Sequence, residues 1–289
     1  MWFNLCIIST IISGLSGIVM KKYTKNNNLK SVTFLGLLYY HIISLIISIV
    51  VYPKCLEEFN LLNIVNIMPL ILTQSFGYLF AILSVKYLYI STSSSIHKLK
   101  AIITLILGIL ILNEDINITQ IIISILLIFF TIIINLVDKK EEKGKKTNNK
   151  GVIYAYLFVL LNGISSFLNK VYVNEYESPF IISFYFAIAI IFFILIYCMI
   201  TKKWEDIDIR KLNQKQYFLT HSFMDAISTI IDRLSLIDGP VSIVYIITSS
   251  SILISTIASK FILKEKTSYK KWIIIVCIFA CIVGLGILK

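Results

Sequence analysis

The residues able to do chemistry are few, and most stand where an apolar side chain would be expected. His97, Lys98 and Lys100 fall in the middle of one long hydrophobic run. His221, Asp225, Ser228 and Asp232 recur at three- and four-residue intervals through another. An ionisable group at the centre of an apolar helix costs roughly 2.5–3.5 kcal/mol on insertion scales, so each such residue is a functional candidate. Lys98 and Lys100 are two residues apart and point to roughly opposite sides of a helix. Ser93, His97, Lys100, Thr104 and Gly108 share one face, which gives Lys100 the better claim to an interior cavity. Asp225 is its expected counter-ion if the two helices pack across that cavity. Asp225, Asp232 and His221 are the candidates for carrying protons. Gln74 with Tyr78, Asn162 with Ser166 and Asn169, and Thr248 with Ser251, Ser255 and Ser259 add polar groups on three further runs. The expected cavity set is Lys100, Asp225, His97, Lys98, Gln74, Tyr78, Asn169, Thr248 and Ser251.

Structural readings stand beside these. Stripes of Ser, Thr and Gly serve helix contact as readily as ligand contact, and His41 reads as a packed polar residue. Glu114 and Glu265 sit where helix ends need a charge, while Lys170 and Arg233 are close enough to span ends to snorkel. A Lys100–Asp225 pair can itself be structural.

The elements that must position these groups follow from composition. With 57% hydrophobic residues, 15% charged and a mean hydropathy of +0.86, the chain carries more apolar surface than a soluble domain can hide. Its charges cluster between apolar runs close to the ~20 residues a bilayer span needs. Ten spans are expected: 2–20, 31–52, 67–88, 92–112, 118–137, 151–173, 179–200, 216–237, 240–262 and 270–288. Ile is abundant in them, yet backbone in lipid must satisfy its own hydrogen bonds, so runs of this length are helices. The alternating ten-residue segments of a barrel do not occur.

The formal charge of +11 is distributed as a membrane protein distributes it. Lysines and arginines crowd the loops after spans one, five, seven and nine, and Lys86 alone ends span three. The other face holds only Lys54, Arg233 and Lys289. This bias explains the basic pI without a nucleic-acid partner, and puts the odd-numbered loops in the cytoplasm with both termini outside. Met1–Cys6 carries no cationic side chain, so 2–20 is a span rather than a cleaved signal. The five cysteines form no framework; Cys277 and Cys281 read as packing residues.

One strongly polar segment, DKKEEKGKKTNNK (138–150), divides the chain, and a pattern recurs on either side. ISGLSGIVMKKY (12–23) resembles LNGISSFLNKVY (161–172), with Gly14 over Gly163, Lys21 over Lys170 and Tyr23 over Tyr172. ILGILILNEDINITQIIIS (106–124) resembles ASKFILKEKTSYKKWIIIV (258–276), with Glu114 over Glu265. The expected units are therefore 1–137 and 151–289, each of five helices. Because five is odd, the second copy must be inverted in the membrane.

These segments resemble the ten-helix EamA-like group of the drug/metabolite transporter superfamily. The carriers of the resemblance are LILGILILNEDINITQ, SKFILKEKTSYKKW followed by IVGLGILK, and LSLIDGPVSIVYIITSSSILISTIASKFILKEK (234–266). The resemblance implies a cavity lined by helices 1, 3, 4, 6, 8 and 9, and cytoplasmic termini; the charge bias points the other way on the termini.

The expected function is secondary transport of a small organic solute, an amino acid or a related, anionic metabolite, by alternating access in the plasma membrane. A lysine in the cavity is what suggests the anion. Export of amphiphilic compounds and a non-transporting membrane scaffold are the alternatives. There is no Walker-type glycine loop, no HExxH and no GxSxG, so neither ATP-driven action by this chain alone nor an intramembrane enzyme is expected. The reading calls for no cofactor or metal. Its partners are the solute and the lipid bilayer, with a homodimer left open.

Overall fold

The computed structural model describes residues 1–24, 29–88, 90–136, 149–262 and 269–288. Most of the polar linker, and Glu265, lie outside them. The described residues form a helical bundle without a strand. Its helices are α1 (Trp2–Thr24), α2 (Leu29–Val51), the short α3 (Lys54–Glu57) and α4 (Leu61–Asn66), α5 (Met68–Tyr87), α6 (Ile90–His97), α7 (Lys100–Ile111), α8 (Ile118–Leu136), α9 (Asn149–Tyr176), α10 (Pro179–Thr201), α11 (Lys215–Asp238), α12 (Val241–Ser249), α13 (Ser251–Ile262) and α14 (Tyr269–Ile287).

Local chemistry sets many of the boundaries. Pro69 and Pro179 sit in the first turns of α5 and α10, where a missing N–H costs nothing. Asn117 and Gln120 close a reciprocal capping box on α8: the Gln120 N–H donates to Asn117 Oδ1 at 2.9 Å, and the Asn117 N–H donates to Gln120 Oε1 at 3.0 Å. Gly239 ends α11, and Pro240 directs the chain into α12.

Seven segments are long and apolar enough to cross a membrane, and Ile118–Ile134 is a shorter apolar one. Three expected spans look different. The 92–112 span is α6 and α7, broken at Lys98–Leu99, where the Leu99 N–H reaches back three residues to Ile96 O at 2.9 Å. The 216–237 span is α11, which has full length but carries Asp225, Asp232 and Arg233. The 240–262 run breaks too: Ser250 separates α12 from α13, and its N–H donates to Ile247 O at 2.9 Å. Under the alignment read from sequence, Leu99 and Ser250 are equivalent positions. Lys98 on one break donates to the Ser249 carbonyl on the other at 2.8 Å.

Packing respects the same exchange. α1 runs along α11 and α5 along α9, α7 contacts α9 as α13 contacts α1, and α2 meets α10 as α8 meets α14. Exchanging the halves turns each pair into another pair or into itself. Two glycines make the close approaches. A Cβ on Gly14 would lie 2.5 Å from Ile254 Cβ and 2.7 Å from Ser251 O; one on Gly163 would lie 2.6 Å from Ile103 Cβ and 3.1 Å from Lys100 O. Only a residue without a Cβ fits there.

Outside the core, apolar side chains face outward, among them Leu110 at 71% exposure and Phe279 at 61%. Water would not tolerate so much apolar surface. The fold is that of a multi-pass integral membrane protein.

Candidate functional site

Helices α1, α2, α5, α10 and α11 enclose a cavity of ≈ 390 Å³. It runs from Ser13, His41 and Asp232 at mid-helix to Met20, Thr33 and His221, near the end of the bundle where α1 leads into α2 and α10 into α11. Toward the opposite end of the bundle, side chains pin the chain between α2 and α5. Tyr185 Oη donates to Glu58 O at 2.8 Å and accepts from the Asn60 N–H at 3.0 Å and Asn63 Nδ2 at 2.9 Å, while Tyr172 Oη donates to Asn66 O at 2.8 Å.

The cavity's chemistry is concentrated on α11, whose His221, Asp225, Ser228 and Asp232 form one helical face as their spacing requires. Asp225 lies in a closed triangle with Ser16 and His221. Ser16 Oγ donates to Asp225 Oδ1 at 2.5 Å and lies 2.6 Å from His221 Nδ1, and His221 Nε2 is 3.3 Å from Asp225 Oδ2. Ser16 has one proton to give. With that proton on Asp225, Nδ1 must carry the hydrogen that Ser16 accepts. The Nε2–Oδ2 contact is an ion pair when His221 is protonated. The Asp225 side chain remains 39% accessible, which at this depth means accessible through the cavity. Deeper in, Asp232 Oδ1 is buried and accepts no hydrogen bond among the described residues.

The wall across from α11 is aromatic and polar. His41 is 3% exposed, with its ring centroid 4.6 Å from Tyr40 and 5.2 Å from Phe186. Gln74 accepts a long bond from Ser165 Oγ at 3.5 Å, and Tyr78 lies one turn further along α5. Gln74 and Ser165 stand to each other as Asp225 and Ser16 do, with an amide in place of the carboxylate.

Of the residues expected from sequence, Asp225, Asp232, His221, Gln74 and Tyr78 line this cavity; His97, Lys98, Lys100, Asn169, Thr248 and Ser251 do not. The expected Lys100–Asp225 pair does not form. Lys100 Nζ donates instead to Asn162 Oδ1 at 2.7 Å, 6.0 Å from the Phe158 ring centroid. The reason is the break at Leu99, which divides the stripe drawn for a continuous helix. Its upper part is held by α5, with His97 Nε2 at 2.9 Å from Ser84 Oγ. Its lower part is held by α9, with Thr104 Oγ1 donating to Gly163 O at 3.2 Å. Lys98 is committed to Ser249 O. Thr248 Oγ1 donates within its own helix to Tyr245 O at 3.4 Å, and the Ser251 carbonyl accepts from Ser255 Oγ at 3.3 Å while packing against Gly14. The lining therefore draws on expected spans 1, 2, 3, 7 and 8, rather than on the set the family resemblance implied.

Three residues have roles the sequence concealed. Arg233 does not snorkel. It is 3% exposed, and it donates from Nε to Asn169 Oδ1 at 2.9 Å and from Nη1 to Ser183 Oγ at 2.6 Å, with Phe186 beneath it. Asn169 thereby orients Arg233. His41 lies in the cavity wall. Ser16 anchors Asp225, and the only sequence signal for it was its alignment with Ser165. The helix-end reading of Glu114 fits its contacts: its carboxylate accepts from the first N–H groups of α12, the Val241 N–H at 2.5 Å and the Ser242 N–H at 3.0 Å. Lys170 likewise donates to the last carbonyls of α11, Leu236 O at 2.5 Å and Ile237 O at 3.3 Å.

No curated protein matches the chain in sequence. A solved crystal structure superposes with a TM-score of 0.77 over 98% of this chain and 94% of its own, at 9% identity, a likeness of fold alone. The model of the EamA-like transporter family matches residues 1–136 and 149–287, nearly the whole sequence. The chain belongs to the EamA-like transporter family, within the drug/metabolite transporters.

Proposed function

We propose that this protein is a secondary transporter of a small organic solute in the plasma membrane. Two five-helix units of opposite sense, 1–137 and 151–289, joined by the 138–150 linker, alternate access to the cavity on α11. The observation that carries the reading is a polar cavity that reaches one end of the bundle and stops at Asp232. The exchange of packing pairs between the halves, the paired glycines Gly14 and Gly163, and the equivalent breaks at Leu99 and Ser250 support the repeat. Broken helices are a feature of such carriers, and here the breaks lie outside the cavity wall. The ten crossings are the seven long apolar segments, α8, the α6–α7 pair and α11. If the lysine-rich loops are cytoplasmic, the cavity stands open to the cytoplasm. The Ser16–His221–Asp225 triangle supplies a proton carrier for coupling.

The test is uptake into proteoliposomes from a panel of labelled amino acids, carboxylates and amines. At least one solute should enter faster than into empty liposomes, with counterflow when the same solute is preloaded. Passage of none would contradict transport.

A further inference from the structure

We propose that the solute recognised in this cavity carries a protonated amine. The inference rests on the transporter reading and adds a chemical class, replacing the anionic solute that a cavity lysine would have suited. Among the described residues, the ionisable groups in the wall are Asp225, Asp232, His41, His221 and the two tyrosines, with no lysine or arginine. The nearest cations make their hydrogen bonds elsewhere, Lys100 to Asn162, Lys98 to the Ser249 carbonyl, and Arg233 to Asn169 and Ser183 behind Phe186, while Lys100 and Arg233 act on Asp232 only through space.

Two independent features mark the wall as unfinished. Asp232 Oδ1 is buried with no donor among the described residues, and the His41 ring, 3% exposed, faces the same space from α2. A buried carboxylate oxygen without a donor is unfavourable, and what it lacks is an N–H or O–H group. An ammonium brings three donors and no acceptor. A carboxylate or phosphate would bring acceptors to a carboxylate wall and be repelled. Tyr40 and Tyr78 offer aromatic surface for the organic part and for the cation itself. Asp225 and Asp232 are two helical turns apart on one face, about 10 Å along α11, so the solute meets Asp225 near the opening and Asp232 at the closed end.

Phenethylamine and 3-phenylpropionate share a ring and differ in the sign of their charge at pH 7.5. Thermal unfolding of the purified full-length protein should rise saturably with phenethylamine and not with 3-phenylpropionate. Asp232→Asn, checked by an unchanged size-exclusion profile, should weaken the amine by at least about tenfold. If that variant fails to fold, protection of Ser13→Cys from alkylation by phenethylamine gives the same reading with both aspartates in place. Stabilisation by 3-phenylpropionate in place of the amine would overturn the inference and leave transport standing. So would the absence of any amine effect in protein that moves another solute in proteoliposomes. Failure of every solute to bind or to move would remove the transport reading, and this inference with it.

Discussion

At the scale of single residues, the surprise is how the buried charges are divided. Lys98, Lys100 and Arg233 hold helices together through carbonyls, Asn162, Asn169 and Ser183, while the acidic groups face the cavity. The candidates themselves were legible, because an ionisable residue in an apolar run stands out. Their partners were not. Whether Lys100 meets Asp225 or Asn162 depends on a break in its helix that hydropathy does not mark. The roles are testable separately. If the Ser16–His221–Asp225 triangle carries the coupling proton, Asp225→Asn should abolish the response of uptake to an imposed pH gradient, followed with a pH dye inside proteoliposomes. A variant with wild-type response would take coupling away from the triangle. Glu114 is a cap that ties the first half to α12 of the second, so Glu114→Ala should lower stability by about 1–2 kcal/mol with no new clash. Unfolding in detergent measures it, and Glu114→Gln should recover part of the loss.

At the scale of elements, sequence anticipated the long apolar helices and the recurrence of Gly14 and Gly163, and missed the discontinuities at Leu99 and Ser250. An apolar run such as LKAIITLILGILI looks the same whether its hydrogen bonds reach back three residues or four. The glycines give a sharp comparison within α1. A Cβ on Gly14 collides with Ile254 and the Ser251 carbonyl, whereas one on Gly17 meets nothing within 4 Å. Gly14→Ala should therefore destabilise by roughly 1–3 kcal/mol through overpacking. Gly17→Ala should be neutral or stabilising by up to about 1 kcal/mol through helix propensity. Equal effects at the two positions would contradict the close packing of α1 on α13.

At the scale of the whole molecule, class was open to reading because the bilayer imposes it on composition and loop charge. The cavity's location was not, since it depends on which faces of α1, α2, α5, α10 and α11 converge. The charge bias predicts that the α10–α11 connection is cytoplasmic, so Lys203→Cys should resist an impermeant thiol reagent added outside intact cells and react once the membrane is opened. Labelling from outside would invert the assigned orientation. The central claim, that solute crosses through this cavity, has a direct probe in Gly36. It lies in the cavity wall with open space around any added Cβ, so Gly36→Trp should fill the path without disturbing the packing. Counterflow in proteoliposomes should fall to the empty-liposome level for Gly36→Trp, while its elution profile and the counterflow of Gly17→Ala remain those of wild type; full counterflow through the Gly36→Trp protein would place the pathway elsewhere.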